Sequence, residues 1–289
     1  MKKLVYSLSL IALLACEKEI DFEIPDPGKK AVIETRLQYG ETINLYLSES
    51  VYSLSAENPA YRDDFEAYLY TSEPGSPFPF EVIENPDFGP EYIYQLNHSL
   101  NQGQNYRIVV RADGIPRASA EERLLEVVEI EDFNYNREDK EFTFRFRDDA
   151  ATEDYYMVTI NELGSDNLIF STLDLNMEFF GYSDFFEDGE FDGRQFGFEA
   201  YLPDESFNGK SREVKVRLEQ PTEAVFIELR LHHISKSYYR HELTKSAYET
   251  SDGFFSEPVQ IFSNVENGYG IMATSASDIE KVQYWGVRC

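Results

Sequence analysis

The stretch from Phe142 to Arg147 reads FTFRFR and gives the clearest indication of the fold class. Apolar and polar side chains alternate in it with a period of two, so an extended strand places all three phenylalanines on one face. The stretches from Val214 to Leu218 (VKVRL) and from Arg107 to Arg111 (RIVVR) show related alternation. Strands with one buried and one solvated face are typical of antiparallel sheets, so the chain is predicted to be mainly β.

Runs of this kind recur along the chain from Lys30 onward, and turn residues separate them. The earlier runs predict a β-sandwich over residues 30–129, and the later runs predict a second β-rich domain over residues 130–289. The charged stretch from Ser119 to Glu131 marks the boundary between the two domains. The expected strands are Ala31 to Leu37, Thr42 to Leu47, Phe65 to Tyr70, Phe80 to Ile83, Tyr92 to Leu96, Tyr106 to Ala112, Glu141 to Arg147, Tyr155 to Glu162, Leu168 to Leu173, Phe196 to Tyr201, Glu213 to Glu219 and Val225 to Ile234.

One short helix is predicted near the C-terminus, from Tyr238 to Tyr248. Ser235 or Ser237 can cap its first turn, because a serine hydroxyl accepts a hydrogen bond from a free backbone N–H there. Apolar residues spaced four apart, of which Tyr239 is the first, give the helix one face that packs against a sheet.

The N-terminal segment indicates export. Lys2 and Lys3 precede an apolar run from Leu4 to Ala15, which is far shorter than the roughly 20 residues that span a bilayer. Residues 1–15 therefore form a predicted signal peptide. The run ends in Leu-Leu-Ala-Cys16, which resembles the lipobox of bacterial lipoproteins, so we expect Cys16 to be lipidated and to anchor the protein. An ordinary signal peptide with an incidental cysteine is the alternative.

Residues 16–29 form a predicted tether between the lipid anchor and the first domain. The tether begins with the acidic patch from Glu17 to Glu23, which is similar to the signal that sends Bacteroidota lipoproteins to the outer face of the outer membrane. The expected location is therefore the outer membrane, with the protein facing the cell exterior. A simple solvated linker, and with it the periplasmic face, is the alternative.

The composition excludes several classes of function. The chain has 54 Asp and Glu against 26 Lys and Arg, and its formal net charge of -28 repels nucleic acid and anionic lipid surfaces. Its two cysteines, Cys16 and Cys289, are too few for a disulfide framework or a four-thiolate metal site. With 42% hydrophobic and 15% aromatic residues, the chain is nevertheless expected to fold.

Three stretches in the second half of the chain resemble a known family. Residues 182–193 read YSDFFEDGEFDG, residues 255–258 read FSEP, and residues 263–271 read SNVENGYGI. They are similar to segments of a Bacteroidota lipoprotein family catalogued only as a domain of unknown function, DUF4249. The stretches similar to the opening strands of that family are residues 32–34, 43–50 and 103–106. The chain departs from the family pattern at Met272, where the family usually has Phe, and in the acidic run from Glu187 to Glu190.

The resemblance implies an outer-membrane lipoprotein with an immunoglobulin-like N-terminal domain, often encoded beside TonB-dependent outer-membrane transporters. It brings no known activity and no catalytic residues. We therefore expect a non-catalytic binding or accessory component of a TonB-dependent nutrient uptake system, with an unidentified small-molecule, peptide or glycan ligand. Two alternatives stay open, namely a structural or adhesive surface lipoprotein, with or without stabilisation by calcium, and a surface hydrolase.

One acidic loop imitates the spacing of calcium ligands. Positions one, three, five and twelve of the loop are Asp188, Glu190, Asp192 and Glu199. Glu190 stands where a shorter Asp or Asn is usual, and the flanking residues resemble strands instead of the helices of an EF-hand. A solvated acidic turn is the alternative. No cofactor other than calcium is expected.

The segment from Asn264 to Gly270 combines amides, glycines and an aromatic ring. Asn264, Asn267 and Tyr269 are therefore candidates for contacts with a ligand or a partner. A tight turn that closes a sheet is the alternative, because Asn and Gly are the residues that such turns favour.

The histidines of the second domain are expected to be structural. His232 and His233 are neighbours on one predicted strand, so their side chains point to opposite faces and cannot bind one metal ion.

Overall fold

The computed structural model describes residues 28–52, 58–72, 75–85, 89–163, 168–169, 171–174, 194–197, 199–218, 224, 226–250 and 259–284. This part of the chain is mainly β and contains one α-helix, which confirms the predicted fold class. None of the helices described there is long and apolar enough to cross a membrane.

The elements follow one another as strands, with the helix before the last of them. They are β1 (Ala31–Gln38), β2 (Ile43–Glu49), β3 (Ala60–Tyr61), β4 (Glu66–Thr71), β5 (Phe78–Pro79), β6 (Glu81–Glu84), β7 (Tyr92–Leu96), β8 (Asn105–Ala112), β9 (Ile115–Arg123), β10 (Glu131–Asn136), β11 (Glu141–Arg147), β12 (Tyr155–Glu162), β13 (Ser171–Asp174), β14 (Arg194–Gly197), β15 (Glu199–Pro203), β16 (Ser211–Leu218), β17 (Phe226–Ile234), α1 (Lys236–Thr250) and β18 (Tyr269–Gln283).

These strands form three sheets. The central sheet has nine strands in the order β15-β12-β17-β18-β1-β2-β7-β6, with β3 paired to β2. A five-stranded sheet has the order β10-β11-β16-β13-β14, and a four-stranded sheet has the order β5-β4-β8-β9. The central sheet therefore contains strands from both ends of the chain.

The last strand, β18, joins the two halves of the central sheet. Its first part pairs in parallel with β1, and its second part pairs antiparallel with β17. The six consecutive residues from Ile271 to Ala276 are all buried. A strand covered on both faces has no alternation of polarity, and for this reason the sequence does not predict β18.

The first core lies between the central sheet and the four-stranded sheet. Ile33 and Leu45 of the central sheet share one hydrophobic cluster with Ile108 and Val110 of β8. Residues of this cluster run from Ala31 to Leu124, and the late residues Val265 and Met272 complete it. The two sheets are thus packed face to face. The immunoglobulin-like assignment of residues 30–129 stays a prediction.

The second core lies between the central sheet and the five-stranded sheet. It contains the three phenylalanines of the FTFRFR stretch, all of them fully buried, together with Ile160 and Leu229 of the central sheet. Full burial of such a side chain contributes roughly 1.5–3 kcal/mol to stability. The alternation in the sequence therefore identified the buried face of β11 correctly.

The charged stretch from Ser119 to Glu131 is only partly a connection between domains. Its beginning belongs to β9, which pairs with β8 from Ile115 through Arg123. Leu124 belongs to the first core and Val128 packs against the second, so the chain passes from one core to the other between these residues. The limits 30–129 and 130–289 stay a prediction, and β18 crosses from one core to the other.

The predicted helix is present as α1, slightly longer than expected. The Ser235 hydroxyl accepts a hydrogen bond from the Tyr238 N–H at 3.3 Å, so Ser235 is the cap and Ser237 lies inside the helix. Tyr239 packs on Tyr155, with 4.6 Å between the ring centroids. The helix therefore covers the end of β12 on the central sheet.

Candidate ligand-binding site

The predicted lipidation and calcium residues fall mostly outside the described part of the chain. Cys16, Asp188, Glu190 and Asp192 all lie there, so the anchor and the calcium loop stay predictions. Glu199 lies in β15 and accepts a hydrogen bond from the hydroxyl of Tyr201 at 2.7 Å.

The side-chain amide of Asn264 stabilises the turn before β18 by hydrogen bonds. Its side-chain oxygen accepts a hydrogen bond from the Met272 N–H at 3.0 Å, and its side-chain N–H donates to the Met272 carbonyl oxygen at 2.8 Å. The same amide donates to Glu122 at 3.0 Å. These bonds occupy the amide within the chain, so Asn264 fixes the backbone of the turn.

The turn also depends on two glycines. A Cβ atom at Gly268 would lie 2.6 Å from the Ala31 carbonyl oxygen, and one at Gly270 would clash with the backbone of Ile33. Gly270 also has a φ of 97°, which other residues rarely adopt. This is the tight turn that the sequence offered as the alternative to a binding segment.

The other two residues of that candidate segment lie at the surface. Asn267 has a φ of 56° in the turn, and Tyr269 is 39% exposed at the start of β18. The ammonium group of Lys30 lies 4.9 Å from the centre of the Tyr269 ring. A contact of Asn267 or Tyr269 with a ligand or partner stays a prediction.

The neighbouring histidines of β17 have separate surroundings. His232 is buried, within hydrogen-bond distance of the hydroxyls of Thr159 at 3.1 Å and Ser277 at 2.7 Å. Burial, together with the charges of two arginines, lowers the pKa of His232 to about 3. His233 lies on the other face, where its ring stacks on Tyr156. Their alternation on the strand is as expected.

Three buried carboxylates meet at the ends of separate strands, and the sequence did not predict this cluster. Asp148 follows β11, Asp154 precedes β12 and Asp204 follows β15. Their oxygen atoms all lie within 4.8 Å of one another, and each residue is less than 9% exposed. In the sequence, each of the three is an acidic residue next to one end of a strand. This signal is weak in a chain with 54 acidic residues.

Protein groups already satisfy these carboxylates. Asp148 accepts hydrogen bonds from the Tyr156 hydroxyl at 2.6 Å and the Gly209 N–H at 2.7 Å. Asp154 accepts one from the Thr152 hydroxyl at 2.7 Å and lies 3.1 Å from the His233 ring nitrogen. The Asp154 N–H donates to Asp204 at 2.9 Å.

The pKa values of the cluster differ in direction. Burial, and the nearby charges of Asp148 and Asp154, raise the pKa of Asp204. Burial also opposes ionisation of Asp154, but the hydrogen bonds from His233 and Thr152 outweigh it and lower the pKa of Asp154. Oxygen ligands of this kind suit a hard cation. The donors already present give the cluster a structural role in tying the β11–β12 connection to β15.

A groove lies on the outer face of the four-stranded sheet, within the described part of the chain. It has a volume of about 250 Å³. Its lining includes Tyr70 of β4, Arg107 and Val109 of β8, and Arg117 and Glu121 of β9. Tyr70 is paired with Arg107, and Arg107 with Glu121, across adjacent strands. The alternation of β8 turns Arg107 and Val109 outward, because Ile108 and Val110 fill the core.

The groove combines basic, aromatic and apolar groups. Arg107 donates to the Ser119 hydroxyl at 3.0 Å and lies 3.7 Å from the carboxylate of Glu266, whose side chain is 74% exposed. Such an exposed ion pair is weak. Within the described part of the chain, Arg117 makes no hydrogen bond or ion pair. This groove was not predicted from the sequence, because the arginines of β8 were assigned to a solvated face and β9, the strand that carries Arg117, was not predicted.

Comparison with known proteins adds the family. The family model described as Domain of unknown function (DUF4249) matches residues 17–280. No curated protein matches the chain. Because the matched region covers nearly the whole chain, this protein belongs to the DUF4249 family.

Proposed function

We propose that this protein is a lipid-anchored outer-membrane protein that faces the cell exterior. In this proposal it acts as a non-catalytic binding component beside a TonB-dependent transporter. The observation that carries the proposal is the N-terminal segment, in which two lysines, a short apolar run and a lipobox-like sequence lead to Cys16. The family region begins at residue 17, directly after that cysteine.

The physical role follows from the anchor. A lipid on Cys16 holds the β-rich body at the membrane, so a ligand bound to it stays at a high effective concentration near a transporter. The resemblance to a family encoded beside TonB-dependent transporters supports the choice of partner.

The anchor and the membrane face are tested in cells of the source organism. Metabolic labelling with an alkyne-bearing fatty acid should mark the wild-type protein and the Cys289→Ser variant, but not the Cys16→Ser variant. Added protease should digest the wild-type protein on intact cells. Label on the Cys16→Ser variant would contradict lipidation at Cys16, and full protection in intact cells would favour the periplasmic face.

The partner is tested by co-purification from gently solubilised outer membrane. A TonB-dependent transporter should accompany the full-length protein. A preparation that keeps other transporter complexes together but yields none with this protein would contradict the uptake proposal. That result would favour the structural or adhesive alternative.

A further inference from the structure

The groove on the four-stranded sheet carries chemistry that the proposed function leaves open. Its walls bring two guanidinium groups, from Arg107 and Arg117, beside a single carboxylate, from Glu121. The carboxylate of Glu266 lies 3.7 Å from Arg107, so Arg117 is the guanidinium group of the groove that has no ion-pair partner in the described part of the chain. A small anion meets an attractive site there.

The two arginines are not equivalent. Arg107 already donates to Ser119 and has both Glu121 and Glu266 nearby. Arg117 is exposed and unpaired within the described part of the chain, so all its donors are available. A guanidinium group offers a planar fork of N–H donors that matches a carboxylate in a two-bond arrangement. Arg117 is therefore the group that would hold the anion.

The rest of the groove offers one exposed aromatic residue among polar groups. Tyr70 is 37% exposed and Val109 is only 4% exposed, while Thr71, Ser72 and Asn105 add polar side chains to the lining. Aromatic rings of this kind stack on planar groups. A volume of about 250 Å³ has room for one ring and its substituents, but not for a long oligomer.

The electrostatic field of the whole protein narrows the class of ligand further. The surrounding chain is strongly acidic, so every additional negative charge on a ligand raises the cost of approach. The site therefore favours a ligand with one carboxylate over a polyanion. A small aromatic acid and the free C-terminus of an aromatic peptide share this chemistry.

We propose that this groove binds a monoanionic carboxylate attached to an aromatic group, with Arg117 holding the carboxylate and Tyr70 contacting the ring. The proposal deepens the proposed function, and rests on it in assigning the ligand to uptake. The binding itself is measured on the purified protein without a transporter.

The test uses calorimetric titration of the full-length protein in detergent. The probes are N-acetylphenylalanine, its uncharged amide, and 4-hydroxybenzoate. The wild-type protein should bind at least one of the two acids at one site, and Arg117→Gln should weaken that binding at least tenfold. If N-acetylphenylalanine binds the wild-type protein, its uncharged amide should bind that protein at least tenfold more weakly. The Arg117→Gln variant should bind N-acetylphenylalanine and the amide with equal affinity.

A matched control separates the site from the overall charge. Arg137 is exposed on the β10–β11 turn, away from the four-stranded sheet, and Arg137→Gln removes the same charge. This control should bind the acids as the wild-type protein does. Equal losses in both variants, unchanged binding in Arg117→Gln, or no binding of either acid would overturn the proposal.

The two acids distinguish the sources of the ligand. Preference for N-acetylphenylalanine supports a peptide end, and preference for 4-hydroxybenzoate supports a small aromatic acid. These binding outcomes do not depend on whether the protein takes part in uptake. Saturable binding at Arg117, in a protein that co-purifies with no transporter, would keep the ligand class and overturn only the assignment to uptake.

Discussion

Replacing Asn264 by alanine should destabilise the protein strongly, because this one amide closes the turn that leads into β18. The substitution removes both hydrogen bonds to Met272, a residue that is 0% exposed, and the bond to Glu122. The Met272 N–H and carbonyl groups would lose these side-chain partners. Leaving a buried polar group unpaired costs about 1–3 kcal/mol.

The two orphaned backbone groups predict a loss of roughly 2–4 kcal/mol in the free energy of unfolding. A chain of this size changes its melting temperature by about 2–4 °C for each kcal/mol, so the midpoint should fall by roughly 4–16 °C. Urea unfolding followed by circular dichroism measures the free energy directly.

Asn208→Ala is the matched control for this experiment. Asn208 is exposed, and its side chain makes a single long hydrogen bond of 3.5 Å to the Thr152 carbonyl oxygen. Its loss should change the free energy of unfolding by less than about 0.5 kcal/mol. If Asn264→Ala destabilises the protein no more than Asn208→Ala does, the conclusion that the Asn264 amide stabilises the turn is wrong.

Three further predictions concern the central sheet and the carboxylate cluster. Gly270→Ala should lower the free energy of unfolding by about 2–3 kcal/mol, because of the clash with Ile33 and the positive φ, whereas Gly75→Ala meets open space and should be nearly neutral in the same urea assay. The pKa of His232 is about 3 in the folded protein and near 6.5 in the unfolded chain, so stability falls as the pH drops below about 6.5, by roughly 3 kcal/mol at pH 4.5. His232→Gln should flatten the dependence of the unfolding free energy on pH between 7 and 4.5, and an unchanged slope would contradict this origin. The raised pKa of Asp204 means that its ionised form costs stability at pH 7, so Asp204→Asn, which keeps an acceptor for the Asp154 N–H, should melt higher than the wild-type protein there. That advantage should shrink as the pH falls, since the wild-type carboxyl then gains its proton.

The sequence predicted most of the longer strands, including β12, which is buried on both faces, but it did not predict β9, β10 or β18. The FTFRFR stretch identified both β11 and its buried face, since the alternation records the difference between core and solvent directly. The strand β18 carries a continuous buried run of apolar and small polar residues, so no alternation marks it. Its partner β1 is nearly the whole chain away in sequence, and only the folded structure brings them together.

Candidate sites with a local sequence signal could be predicted, and sites assembled from separate strands could not. The turn before β18 was predicted as an alternative, because the amide and glycines of such a turn are a local signal. The cluster of Asp148, Asp154 and Asp204 and the groove beside Arg117 are assembled from separate strands. A chain with 54 acidic residues gives no means of choosing three of them from spacing alone.

We propose that a lipid anchor at Cys16 places this protein beside a TonB-dependent transporter. The most direct measurement is quantitative mass spectrometry of the tagged full-length protein purified from gently solubilised outer membrane, with Cys16→Ser as the matched control. We predict a TonB-dependent transporter in near-equal amount with the wild-type protein, and its loss in the Cys16→Ser sample. A wild-type sample without such a transporter, from membranes in which other transporter complexes stay intact, would contradict the claim.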